Sequence, residues 1–130
     1  MPVYHGKPPF LECSSAGDKR LSAFFARIKG RGNKTIEEIY QRAKKFREED
    51  GTVTTGYPVK VAKGLKPINL NEMRQLYTQL WDEYMLENQH LLPVIREATG
   101  LADRFGRPGG VCQATELWRI RNTWPLDNTG

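Results

Sequence analysis

A helix-rich α+β protein, with about four helices and a few short strands in one compact domain over 1–130, is what this sequence predicts. Three observations carry that expectation. Apolar residues recur at helical spacing around 36–46 and around 73–84, each stretch preceded by a residue suited to cap a helix. Other apolar runs are short and bounded by proline or glycine, as short strands are. The 5 Phe, 5 Tyr and 3 Trp in 130 residues supply enough apolar surface for one core.

In chain order, residues 1–9 form an extended start, because Pro8-Pro9 blocks helix. Pro9–Cys13 reads as a strand, and Ser14–Asp18 as a turn of small residues. Leu21–Ile28 is an apolar run whose length fits strand or helix equally. Lys29–Asn33 is a basic turn. Thr35 with Glu38 has capping-box spacing and opens a helix. Ile36, Ile39, Tyr40 and Ala43 form its apolar stripe, Phe46 extends the stripe, and the helix is expected to stop near Gly51. Residues 52–66 are a connector with Tyr57–Val61 as a short strand. A second helix starts at Asn69 or Asn71 and buries Met73, Leu76, Tyr77, Leu80, Trp81 and Tyr84. A third covers His90–Thr99, with Pro93 in its first turn and Gly100 as its stop. A glycine-rich loop, Gly106–Gly110, leads to a last helix over Gln113–Arg121, and 122–130 is a loose tail from which Trp124 can dock.

Charge is unevenly placed. Residues 1–66 hold 14 Lys and Arg against 7 Asp and Glu, whereas 67–130 hold 6 against 8. A basic field of this kind attracts phosphate, on a small nucleotide or on a nucleic acid. No apolar run reaches the roughly 18–20 residues that cross a bilayer, so no membrane partner is expected. Met1–His5 lacks the layout of a secretory leader, and a cytoplasmic setting follows as the expectation. Cys13 and Cys112 make neither a disulfide framework nor a metal cluster, and His5 and His90 stand alone. Phosphate-binding, dinucleotide-binding and nucleophile-elbow motifs are missing. No metal or cofactor is therefore expected.

Carboxylates remain as candidates for chemistry. Glu37 lies one helical turn before Gln41, which precedes Lys44 and Lys45 by three and four residues. Acid, amide and amine thus share a seam beside the apolar stripe, although a plain solvated face has the same spacing. Asp103 stands between Gly100 and the glycine-rich loop, beside Phe105. That position suits the mouth of a pocket, and equally suits an acid that caps a loop.

The segments Leu21-Ser22-Ala23-Phe24-Phe25-Ala26-Arg27-Ile28 and Gly32-Asn33-Lys34-Thr35-Ile36-Glu37-Glu38-Ile39-Tyr40-Gln41-Arg42-Ala43-Lys44 resemble the opening of NADAR-type N-glycosidases. On that pattern Glu37, Tyr40, Gln41 and Lys44 take the family's Glu, second aromatic, Gln and Lys. Glu87–Leu92, Glu97–Gly100, Asp103–Gly106 and Leu117–Arg121 are similar in order to the family's later segments, so the resemblance spans roughly residues 10–121. The chain departs from the pattern at Ala23, where Asn is usual, and at Phe105, where Trp is usual. It departs again at Ile68-Asn69-Leu70, which lacks the expected Trp, and at Val111-Cys112-Gln113, which lacks the expected Asn.

The resemblance implies hydrolysis of the N-glycosidic bond in a phosphorylated ribosyl or ADP-ribose-type conjugate, such as riboflavin-pathway intermediates or ADP-ribosylated guanine. It implies Glu37 and Asp103 as catalytic acids. Phe24, Phe25 and Phe105 would stack on the base, and Lys19, Arg20, Arg27 and Lys44 would hold phosphate. Ser22 and Gln41 complete the substrate-binding set. The alternative is a catalytically silent protein that binds a nucleotide or nucleic acid through its basic first half.

Overall fold

The computed structural model describes residues 2–106 and 112–124. Its elements are β1 (Val3–Gly6), β2 (Leu11–Glu12), β3 (Arg27–Ile28), β4 (Lys34–Thr35), α1 (Ile36–Ala43), β5 (Lys45–Arg47) and β6 (Val53–Thr55). They continue with α2 (Val59–Ala62), α3 (Leu70–Glu87), α4 (Leu92–Glu97), β7 (Gly100–Asp103) and α5 (Gln113–Thr123), and single 3-10 turns precede β3, β4 and α4. This is a helix-rich α+β fold. Among the described residues no helix is long and apolar enough to cross a membrane.

The main sheet has the order β1-β7-β2, with β1 antiparallel and β2 parallel to β7. The central strand is thus the one nearest the C-terminus, and all four of its residues are buried. Gly100 opens it, where the sequence suggested only a helix stop. A Cβ there would stand 2.5 Å from the Phe10 ring and 2.8 Å from the Lys7 carbonyl, so only glycine lets the N-terminal segment lie this close. The extended start forms the β1 edge.

α3 runs through the centre. Met73, Tyr77, Leu80, Trp81, Tyr84 and Met85 are its buried residues. Tyr40 meets Tyr77 edge-on at 5.2 Å, which ties α1 to α3, and Trp81 meets Tyr84 at 5.6 Å within α3 itself. Asn69 stands at the N-cap of α3 but makes no side-chain cap bond. Its amide instead accepts from Lys45 N at 3.0 Å and donates to the Ala43 carbonyl at 3.3 Å, serving the end of α1.

Several sequence expectations change here. α1 stops at Ala43, not near Gly51, because Lys44 turns to extended backbone. Phe46 then sits on β5, paired with Thr54 and stacked on Tyr57 at 4.6 Å, so it does not extend the helix stripe. The strand of the connector is Val53–Thr55, while Val59–Ala62 is a helical turn. Leu21–Ile28 is neither one helix nor one strand: Leu21 ends a 3-10 turn, 23–25 turn again, and Arg27–Ile28 pair with β4. The supposed loose tail is ordered as far as it is described. Asn122 and Thr123 belong to α5, and Trp124 is buried with its backbone N–H donating to the Ile120 carbonyl at 2.9 Å. Residues 125–130 lie outside the described residues, as does the glycine-rich stretch 107–110.

Candidate functional site

The site is assembled from the start of α1 outward. An α-helix begins with backbone N–H groups that lack intrahelical partners. Here Ile36 N donates to the Ala26 carbonyl at 2.9 Å, Glu37 N to the Ala23 carbonyl at 3.0 Å, and Glu38 N to Thr35 Oγ1 at 3.1 Å. The turn through Ser22–Ala26 is thereby docked on the helix start, and Ala23 and Ala26 are buried. Their small size permits that approach. Because Thr35 supplies the cap, the Glu37 carboxylate is free for other contacts.

Glu37, Tyr40, Gln41 and Lys44 stand at i, i+3, i+4 and i+7, and all four line one cavity of about 410 Å³. α3 and the residues before it supply the facing wall with Lys66, Pro67, Leu70, Arg74 and Tyr77. The end of β7 adds Asp103, Phe105 and Gly106, and Phe24 and Gln113 complete the lining with Ala23. A Cβ on Gly106 would sit 3.1 Å from Cys112 Sγ and 3.2 Å from Asp103, so a side chain there would crowd the carboxylate.

Asp103 is 3 % exposed and accepts three donors. Phe105 N donates to Oδ1 at 3.1 Å, while Gln113 Nε2 at 3.2 Å and Cys112 Sγ at 3.8 Å donate to Oδ2. Gln113 Oε1 in turn accepts the Ala23 N–H. One amide thus joins the last residue of β7, the first turn of α5 and the turn that carries Phe24. Glu12, a residue that the sequence did not single out, adds a further tie. Its Oε2 accepts from Ser14 N at 3.1 Å and from Arg104 N at 2.9 Å, which fixes the bend beyond Asp103.

Protonation states follow from burial. Desolvation pushes the Cys13 thiol up to about 12, with the charges of Glu12 and Asp103 adding to the effect. Desolvation also raises the Cys112 thiol. Both cysteines are thiols at neutral pH and poor nucleophiles. Burial raises Tyr40, with the Glu37 charge reinforcing it, and raises Tyr77 well above the usual phenol range. Both remain neutral hydroxyls. Burial lowers Lys44, and Glu37 opposes that shift. Among the described residues no group of three His, Cys, Asp or Glu is arranged to hold a metal ion.

The structure therefore brings together Glu37, Asp103, Phe24, Gln41, Lys44 and Phe105 from the residues singled out in the sequence. Phe105 is 63 % exposed, at the mouth. Lys44 is changed in character: Nζ donates to the Ala62 and Leu65 carbonyls at 3.0 and 3.1 Å, so two of its three protons hold the connector in place.

Lys19, Arg20, Ser22, Phe25 and Arg27 do not line the cavity. Arg20 forms an ion pair with Asp18 at 2.7 Å, two residues away. Arg27 donates to the Asn33 carbonyl at 2.9 Å. Ser22 is buried and accepts the Phe24 N–H at 3.3 Å, a turn-forming bond. Phe25 is exposed with Lys19 Nζ 5.0 Å over its ring. Besides Lys44, the cations at the cavity are Lys66 and Arg74. A signal for Arg74 was present, since Leu70, Arg74 and Tyr77 fall at i, i+4 and i+7 and so place a cation within an apolar stripe. Lys66 carried no such signal.

Compared with known proteins, the chain matches no family model, no curated protein and no solved structure.

Proposed function

We propose that the protein hydrolyses the N-glycosidic bond of a phosphorylated ribosyl or ADP-ribose-type conjugate. The observation that carries this reading is the convergence of Glu37 and Asp103, far apart in sequence, on one cavity with aromatic and cationic walls. The resemblance to NADAR-type N-glycosidases supports the same residues.

The chemistry needs positioned charge more than a strong nucleophile. When the bond from the anomeric carbon to nitrogen breaks, its electron pair leaves with the base and the sugar becomes an oxocarbenium-like cation. A carboxylate in a partly closed cavity stabilises that cation more than the neutral substrate, which is catalysis by differential binding. Glu37 takes this role. It orients water toward the anomeric carbon and accepts one proton as the new carbon–oxygen bond forms. The departing nitrogen takes a proton from solvent, so one water is consumed, and the freed nitrogen compound results together with ribose 5-phosphate or ADP-ribose, according to the conjugate. Asp103, surrounded by donors, acts as a fixed negative charge that supports the cation. Phe24 and Phe105 offer rings to the base, and Lys66 and Arg74 offer charge to phosphate.

The test is chromatographic detection of the compound freed from the sugar, guanosine from ADP-ribosylated guanosine and the aminopyrimidine from a riboflavin-pathway ribosylaminopyrimidine phosphate. Wild type is expected to turn over many equivalents of one of them. Glu37→Gln is expected to lose at least about a hundredfold in kcat with its melting temperature near wild type. Stoichiometric binding with neither compound released would favour the silent binding protein. Full activity in folded Glu37→Gln would remove Glu37 from the mechanism.

A further inference from the structure

Gln41 is 7 % exposed, yet its amide oxygen has no hydrogen-bond partner among the described residues. The other end of the amide is fixed. Nε2 donates to Glu37 Oε1 at 2.8 Å, and this sets which way round the group sits, because a carboxylate only accepts. Oε1 is therefore an acceptor held in one orientation in a residue that lines the cavity. A buried acceptor left unmatched is unfavourable, and a donor on a bound ligand relieves it.

We propose that Gln41 reads the hydroxyl on the sugar carbon next to the anomeric carbon and so makes the site selective for ribosides over 2-deoxyribosides. The inference rests on Glu37 acting at the anomeric carbon. An amide bonded directly to Glu37 is placed for a group one bond away from that carbon. On a riboside the 2-hydroxyl is such a group, and it is a neutral donor. The N–H groups of a base ring lie several bonds further out. The N–H of a glycosidic nitrogen, where a substrate carries one, is the competing donor, and a sugar phosphate lacks it. A hydrogen bond to the 2-hydroxyl also strengthens as the ring gains positive charge, so the preference is larger in turnover than in binding.

Calorimetric titration with ribose 5-phosphate and 2-deoxyribose 5-phosphate tests this without any hydrolysis. Wild type is expected to bind the ribose form about tenfold more tightly. Gln41→Met is expected to bring the two within about twofold, chiefly by weakening the ribose form. Gln41→Lys keeps a donor for Glu37 while removing the acceptor, and is expected to erase the preference in the same way. Equal binding of both sugars by wild type, or binding of neither, overturns the proposal without reference to any variant. So does a preference that survives in either variant when it melts like wild type. Failure of the hydrolysis reading has a different signature: nothing freed from the sugar of any conjugate, with the preference for ribose 5-phosphate intact.

Discussion

Two groups of polar residues in this chain stand in opposite circumstances. The cavity face of α1, with Glu37, Gln41 and Lys44, is folded against α3 and the end of β7, and its side chains contact one another or backbone carbonyls. The basic segment from Lys19 to Arg31 carries more charge, but its three arginines are matched locally or across to α3. Arg20 pairs with Asp18, and Arg31 pairs with Glu83 at 2.7 Å. Glu87 on the same helix accepts the Lys29 and Gly30 N–H groups at 2.6 and 2.8 Å. The acidic second half thus neutralises part of the basic first half through contacts between them. Charge density along a sequence marks where cations are, and only the fold shows which of them face a ligand-sized space. Exposed pairs are screened and contribute little, whereas groups in a partly closed cavity act at shorter range and lower dielectric.

The sharpest way to break this contrast is at Asp103. Asp103→Asn is expected to lower kcat about a hundredfold while changing ligand affinity less than about threefold, since a fixed charge acts mainly on the transition state. Its three donors also lose a charged acceptor, so the melting temperature should fall by about 5 °C. Measuring kcat, affinity and melting on one preparation separates the roles. A lower melting temperature with unchanged kcat leaves Asp103 as a strut between β7 and α5.

A smaller effect distinguishes the two cation sets. Replacing Lys66 and Arg74 together by Ala is expected to weaken ribose 5-phosphate binding about tenfold. Replacing Lys19 and Arg20 by Ala is expected to change it less than about twofold at 0.15 M salt. If the two double variants bind equally well, the contrast between cavity and surface charge is lost.

The smallest effect concerns Glu12, which supports the site from outside. Burial works against its ionised form, but the hydrogen bonds from Ser14 and Arg104 outweigh it and hold the carboxyl below its usual value of 4.5. The folded state then binds this proton less readily than the unfolded state. Its stabilisation is complete above the unfolded value and is lost as pH falls through the lowered folded one. Glu12→Gln is expected to cost about 1 kcal/mol near pH 7, with the gap to wild type closing as pH falls below the usual carboxylate range. Thermal melts across that range check it, and a gap that is constant with pH would mean that the carboxylate charge is not what holds the bend.

Much of this protein is legible one residue at a time. The Thr35 cap, the buried face of α3, Pro93 at the start of α4 and the seam of Glu37, Gln41 and Lys44 all follow from a period of 3.6 residues and from which side chains satisfy free N–H groups. Those are interactions between near neighbours, so a linear pattern contains them. The end of α1 escapes the linear pattern, because Phe46 keeps the helical spacing while its contacts are with Thr54 and Tyr57, on a strand and loop that the helix period cannot represent. Only tertiary structure made Gly100–Asp103 the central strand, since its partners Val3–Gly6 and Leu11–Glu12 lie some ninety residues away. The same is true of Gln113 between Asp103 and Ala23, and of Lys66 and Arg74 facing α1. Each depends on chain segments meeting after folding, and the energy of such a meeting is set by shape and by partners that no local spacing encodes.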